Sequence, residues 1–366
     1  MTLDALPLFG ASVAAVLLYW CLPAKHGQNG VAAFTVATLA LIAPATAAVM
    51  VASILFVQQA LVWAERSGRR SLIAAVAIAA IGAVFLLSRE IGTVVEPQWL
   101  FIGLAYSTLR HIHVIAEWRL GRIAVPKLGD YMRYHLLLPV LPAGPIHRLP
   151  HFERQCSRRR WSSPDFFSGA ERALVGFTVL VVIGDYLIGA KLAPLVQSSA
   201  SEGFFKLWAS SAIDWIRIYV TFTGLTDFAL GLVLMMGLRL EENFNKPWRA
   251  RDLVDFWTRW HMTLSHWCRD YVYAPAAIAF RSPFLGLFCA MLVLGLWHQT
   301  SIYYVGWAVY QALGIVLSHG YRKAGDPLHL SRMPGIVRAI LAPVAILAWV
   351  SSAQPVLTAF FGWTNS

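Results

Sequence analysis

The chain has 366 residues, of which 58% are hydrophobic and only 13% charged, and its mean hydropathy is +0.58. Soluble domains carry roughly 25% charged residues, so this composition excludes an ordinary water-soluble protein and points to an integral membrane one. The formal net charge is +11, but the cluster Arg158-Arg159-Arg160 is short and juxtamembrane. It suits anionic lipid head groups rather than nucleic acid.

Apolar stretches near or above the ~20 residues that cross a bilayer begin with Leu6 to Leu22, Val31 to Ala64 and Leu72 to Leu87. Trp99 to Ile115 and Ala173 to Ile188 follow, then Phe204 to Leu238, Phe284 to Trp297, Ile302 to Leu317 and Ile336 to Val350. Two of these, from Val31 and from Phe204, are too long for one straight span, and breaks are expected at Pro44 and Gly224. The reading is all-α: a polytopic membrane bundle of roughly nine to eleven helices, with re-entrant and in-plane segments, since lipid admits only helices or closed barrels. The stretches do not alternate as barrel strands would.

Met1 to Pro23 lacks a basic start and a small-residue cleavage site, so it reads as a retained first span. Basic loops at 66–70, 119–133, 148–160, 239–251 and 322–338 are placed in the cytoplasm by the positive-inside rule, with the N-terminus outside. Between Tyr134 and His147 a short apolar run holds Pro139, Pro142, Gly144 and Pro145 and reads as re-entrant. The four cysteines, Cys21, Cys156, Cys268 and Cys289, lack CxxC spacing and indicate neither disulfides nor zinc. No internal repeat or linker appears, so one domain over 1–366 is expected.

Chemistry concentrates in the segment from Asp252 to Tyr273, where Trp257, Trp260, Trp267, Tyr271 and Tyr273 alternate with Asp255, Arg259, Arg269 and Asp270. It reads as a helix suited to an interface, with Asp255 and Arg259 as an i,i+4 ion pair. His261 and Ser265, also four apart, then share one face toward a polar cavity. His298 ends a later apolar span in Leu294-Gly-Leu-Trp297-His298-Gln299, and an ionisable group there marks an internal polar site. An imidazole can take a proton from a hydroxyl near neutral pH and return it to a leaving group. No G-x-S-x-G elbow, H-E-x-x-H motif or phosphate loop competes. His111, His113, His147, His151 and His319 read as interfacial or structural, and no histidine pair has a metal-ligand pattern.

The segment D-F-W-x-R-W-H-x-x-L-S-x-W-x-R-D-Y followed by L-W-H resembles the membrane-bound O-acyltransferase family, in particular its bacterial alginate O-acetylation and teichoic-acid D-alanylation branch. Supporting matches are Gly103-Leu-Ala-Tyr106, Pro142-Ala-Gly144-Pro145-Ile, Ile218 to Gly231 and Glu242-Asn243-Phe-Asn245-Lys-Pro247, so the resemblance covers about 100–320. It implies a helical bundle in which His298 is the base and His261 orients reactants or stabilises the oxyanion. Asp227, Asn243, Asp255, Arg259, Ser265, Arg269, Asp270, Trp297 and Gln299 are then cavity or supporting residues, with no metal and no bound cofactor.

The co-substrate implied is an acyl thioester, acetyl-CoA or a carrier-bound acyl group. The expected acceptor is a hydroxyl of an envelope polysaccharide, with the bacterial inner membrane as the location. Relatives that move acyl groups to the outer face often cooperate with a second, extracytoplasmic acyltransferase, which the resemblance implies as a partner beside membrane lipid, donor and glycan acceptor; no nucleic-acid partner is expected. Departures are Gln299 where a glycine commonly follows the histidine, Thr221 in place of an aspartate, and no Gly-Gly-Asn after Tyr273-Ala-Pro275. D-alanyl-type transfer to another acceptor is the alternative within the family. An intramembrane proton or solute transporter using His261, His298 and Asp227 is the alternative from another class.

Overall fold

A computed structural model of the chain describes residues 6–95, 98–198, 203–325 and 334–363. The first helices are α1 (Leu6–Cys21), α2 (Gly27–Ile42), α3 (Pro44–Ser67), α4 (Arg70–Val95), α5 (Gln98–Arg119), α6 (Leu128–His135), α7 (Leu149–Cys156) and α8 (Ser163–Thr178). A wide-turn stretch, Val179–Leu192, leads into α9 (Ala193–Gln197), and α10 (Phe204–Met235) follows. Then come α11 (Leu253–Arg259), α12 (Met262–Cys268), a second wide turn Arg269–Tyr273, α13 (Ala274–Ala279), α14 (Pro283–His298), α15 (Ile302–Lys323) and α16 (Gly335–Phe361). No strand occurs among the described residues.

Among the described residues, five helical stretches are long and apolar enough to cross a membrane: Pro44–Ser67, Arg70–Arg89, Ser163–Gln197, Phe204–Met235 and Gly335–Phe361. Three shorter apolar helices are Leu6–Cys21, Gly27–Ile42 and Pro283–His298. Large apolar side chains face outward on the long stretches, among them Trp63, Leu72, Leu87, Leu174 and Val344. Water would penalise such a surface and lipid does not, and together with the composition this makes the chain a multi-pass membrane protein.

The described residues fall into two compact units, Met1–Thr178 with Gly224–Glu241, and Val179–Thr223 with Glu242–Ser366. In the first unit Pro44 ends one helix and opens the next, as expected of a residue without an N–H. Gly224 does not break its stretch: α10 continues over 32 residues. A Cβ on Gly176 of α8 would stand 2.6 Å from the Gly224 carbonyl oxygen, and one on Gly169 2.6 Å from that of Gly231. These glycines permit close helix crossing, the usual use of small residues in membrane helices.

Beyond the end of α6 at His135 the run to His147 is irregular, with a tight helical turn at Leu138–Val140, and Leu136, Leu138 and Val140 are fully buried. Beside it lies a buried polar cluster that includes His111, His113 and His147, for which the structural of the two expected roles holds. Arg110, His111, His113, His135 and His147 are each 3% exposed or less. The Ser107 hydroxyl meets His135 Nδ1 at 2.9 Å, Tyr134 donates to the His147 carbonyl at 2.6 Å, and His111 and His135 stack at 3.9 Å. These contacts give the histidines a packing role in the first unit.

In the second unit α14 and α15 pack along each other, α12 touches α14, and α11 touches α15. The tight point of the α14/α15 pair is Gly295, where a Cβ would come within 2.6 Å of the Tyr304 carbonyl oxygen. Gly295→Val should therefore force the two helices apart and cost about 1–3 kcal/mol by overpacking. The expected result is a lowered melting temperature in detergent; an unchanged one would show that the helices accommodate the side chain.

Candidate active site around His261 and His298

The segment from Asp252 to Tyr273 is not one helix. Asp252 caps α11 by accepting a hydrogen bond from the Asp255 N–H at 2.9 Å, and α11 ends at Arg259. The chain then turns at Trp260 and His261 before α12 starts at Met262. His261 sits in the left-handed region, with φ +42° and ψ +54°, a conformation that costs a non-glycine residue on the order of 1–3 kcal/mol. It is thus the residue that re-aims the chain. His261 and Ser265 do not share a helical face as the spacing suggests, because only Ser265 lies within α12.

Neighbouring residues hold this turn. Buried Asn243 accepts a hydrogen bond from the Met262 N–H on its backbone oxygen at 2.7 Å and from the Thr263 hydroxyl on its amide oxygen at 2.6 Å. Ser265 donates its hydroxyl to the Trp260 carbonyl at 3.1 Å, and its N–H to the His261 carbonyl at 2.9 Å. Asn245 donates its N–H to the Arg259 carbonyl at 3.0 Å. The expected Asp255 to Arg259 ion pair is present at 2.8 Å, and Asp255 also accepts from the Arg251 N–H at 3.0 Å. Burial raises the Asp255 carboxyl, but these hydrogen bonds and charges outweigh it and hold the group below its usual pKa.

The two histidines meet through an indole. The His261 ring lies 6.2 Å from the Trp297 ring, which lies 4.9 Å from that of His298. Phe222 packs edge-on against His261 at 4.7 Å. His298 closes α14, is exposed, and stacks on Tyr304 at 5.9 Å with Trp307 edge-on at 6.1 Å. His261 is 6% exposed. Burial first, and the neighbouring His298 second, push its imidazole down from the usual 6.5 to about 3. One imidazole is therefore neutral and enclosed, while the other is accessible, which suits fixed positioning at the first and proton exchange at the second.

Of the remaining expected residues, Gln299 follows α14 in extended backbone, its N–H on the Gly295 carbonyl at 3.1 Å. Arg269 and Asp270 pair with each other at 2.8 Å in the wide turn after α12. Asp227 belongs to the first unit, where Arg172 binds it at 2.6 Å. Thus Asn243, Asp255, Arg259 and Ser265 brace the His261 turn, Trp297 joins the histidines, and Asp227 serves a separate ion pair. Phe222, Thr263, Tyr304 and Trp307 also line the pair. Tyr304 and Trp307 carry a readable signal, since they are three apart on the helix that follows His298.

Among known proteins, residues 121–357 match the family described as MBOAT, membrane-bound O-acyltransferase. The chain is 30% identical over 253 residues to the probable alginate O-acetylase AlgI of Pseudomonas aeruginosa, covering 68% of this chain and 48% of that protein. It is 26% identical over 269 residues to the teichoic acid D-alanyltransferase of Streptococcus thermophilus, covering 69% of this chain and 64% of that protein. With the peptidoglycan O-acetyltransferase of Helicobacter pylori it shares 28% identity over 234 residues, 60% of this chain and 43% of that protein. The chain thus spans between two fifths and two thirds of the length of these relatives. The family match covers well over half of the chain, which belongs to the membrane-bound O-acyltransferase family.

Proposed function

We propose that the protein is a membrane O-acyltransferase that moves a short acyl group, acetyl in the leading reading, from a thioester donor to a hydroxyl of an envelope glycan. The observation that carries the reading is the meeting of the two motif histidines on the Trp297 indole, in a chain of this family. His298 takes the acceptor proton as the hydroxyl oxygen attacks the thioester carbonyl, and its imidazolium returns that proton to the thiolate as the C–S bond breaks. His261, neutral and fixed by the Asn243 brace, orients the reactants or donates to the developing oxyanion. Acetyl-CoA and a carrier-bound acyl group both meet the donor requirement. An extracytoplasmic transferase is the partner expected if the group must travel on, and the bacterial inner membrane is the proposed location.

The test is transfer of labelled acetyl from acetyl-CoA to glycan in isolated membranes with and without the protein; equal labelling would reject the reading. D-alanyl transfer stands as the second reading because a named relative performs it, and a D-alanyl mass on the acceptor would select it.

Two further outcomes follow. His261 stays neutral between roughly pH 5 and 8, since it protonates only near pH 3. His261→Gln should therefore lower the rate yet leave the shape of the pH profile unchanged, whereas loss of a limb would assign that limb to His261. Gln299 stands directly beyond the base, so Gln299→Gly should change the preference for acceptor or donor with little effect on stability. An unchanged substrate profile would remove Gln299 from specificity.

A further inference from the structure

A groove of about 1930 Å³ lies wholly in the second unit, between the 245–253 loop, α15 and the first half of α16. Its mouth is basic. Arg322 is paired with Asp252 and Arg259 with Asp255, but Lys246, Arg249 and Arg338 line the mouth exposed and without an acidic partner among the described residues. Lys246 and Arg249 lie in the basic 239–251 segment and Arg338 in the first turn of α16, at the end of the basic 322–338 segment; the charge pattern assigns both segments to one membrane face. Below the mouth the wall is apolar, formed by residues such as Leu317, Leu341 and Trp349.

We propose that this groove binds an anionic phospholipid, its phosphate at Lys246, Arg249 and Arg338 and one acyl chain along α16. Length and chemistry select this occupant. The lining runs along α16 from Gly335 to Trp349, about 20 Å at 1.5 Å per residue, enough to cover the roughly 15 Å depth of one hydrocarbon leaflet. A soluble phosphate compound would use the basic mouth and leave this apolar wall exposed, whereas a lipid matches both. α16 is itself long and apolar enough to span the membrane, so the wall lies where acyl chains are present.

The experiment reconstitutes the full chain in nanodiscs of mixed phosphatidylglycerol and phosphatidylcholine and measures retained lipid by mass spectrometry after extraction into detergent. Wild type should retain phosphatidylglycerol selectively. Arg249→Gln combined with Arg338→Gln should lower that retention about thirtyfold at low salt, from roughly fivefold per basic residue near a membrane surface. Arg69→Gln combined with Arg154→Gln removes equal charge elsewhere and should leave it unchanged. Ala342→Trp, which fills the apolar wall without touching a charge, should also abolish selective retention. Equal retention of the two lipids, or retention indifferent to the groove variants, would overturn the proposal. So would inorganic phosphate binding that survives Ala342→Trp without lipid selectivity, which would assign the mouth to a soluble anion.

Discussion

His298→Ala should lower acyl transfer in isolated membranes by about a hundredfold to ten-thousandfold, the range for removing a positioned general base. The side chain closes α14, is exposed, and rests on Tyr304 and Trp307 rather than filling the core. Its loss should therefore leave the fold and the membrane level of the protein intact, so that the defect reads as chemistry. His298→Gln retains a polar group of similar reach but cannot accept a proton in the same way, and it should be as inactive as alanine. Activity within a few fold of wild type in both variants would remove His298 from the base role.

Asn243→Ala should have the second largest effect, although Asn243 is a positioning residue rather than a catalytic one. Its amide oxygen accepts the Thr263 hydroxyl at 2.6 Å, beside the left-handed turn at His261. Removing it deletes one hydrogen bond of the buried Thr263 hydroxyl, worth about 0.5–1.5 kcal/mol, and weakens the support of a backbone conformation that is already unfavourable. A displacement of about 1 Å in a reacting group can reduce rate about a hundredfold, so kcat should fall by up to that factor with less change in KM. Thr263→Val deletes the same bond from the other side. The double variant should then be little worse than Asn243→Ala alone, whereas additive losses would show that the two residues act separately.

Much of this arrangement is legible in the chain itself. Apolar length marks the spans because lipid gives a helix no other way to satisfy its backbone, and Pro44 marks a boundary because it lacks an N–H. Gly224 misleads: a glycine in a long apolar run can end a helix or let another approach, and only the proximity of Gly176 decides between them. The 252–273 segment reads as one helix because its aromatic and charged residues recur at helical spacing. The break at His261 depends on Asn243, whose amide oxygen holds Thr263 from twenty residues away, and such a bond has no local signature. Likewise Asp227 reads with the histidines as a polar intramembrane group, but its charge is taken up by Arg172 in the first unit. The motif pair His261 and His298 remains the strongest site signal, and the intervening Trp297 is adjacent in sequence to one of them.

The most direct test of the central claim is mass spectrometry of O-acyl groups on envelope glycans from cells carrying wild type, His298→Ala or no protein, at matched membrane levels. The account predicts an acyl mass present with wild type and absent from the other two. Wild-type acylation in the His298→Ala cells, or identical glycans in all three, would contradict it.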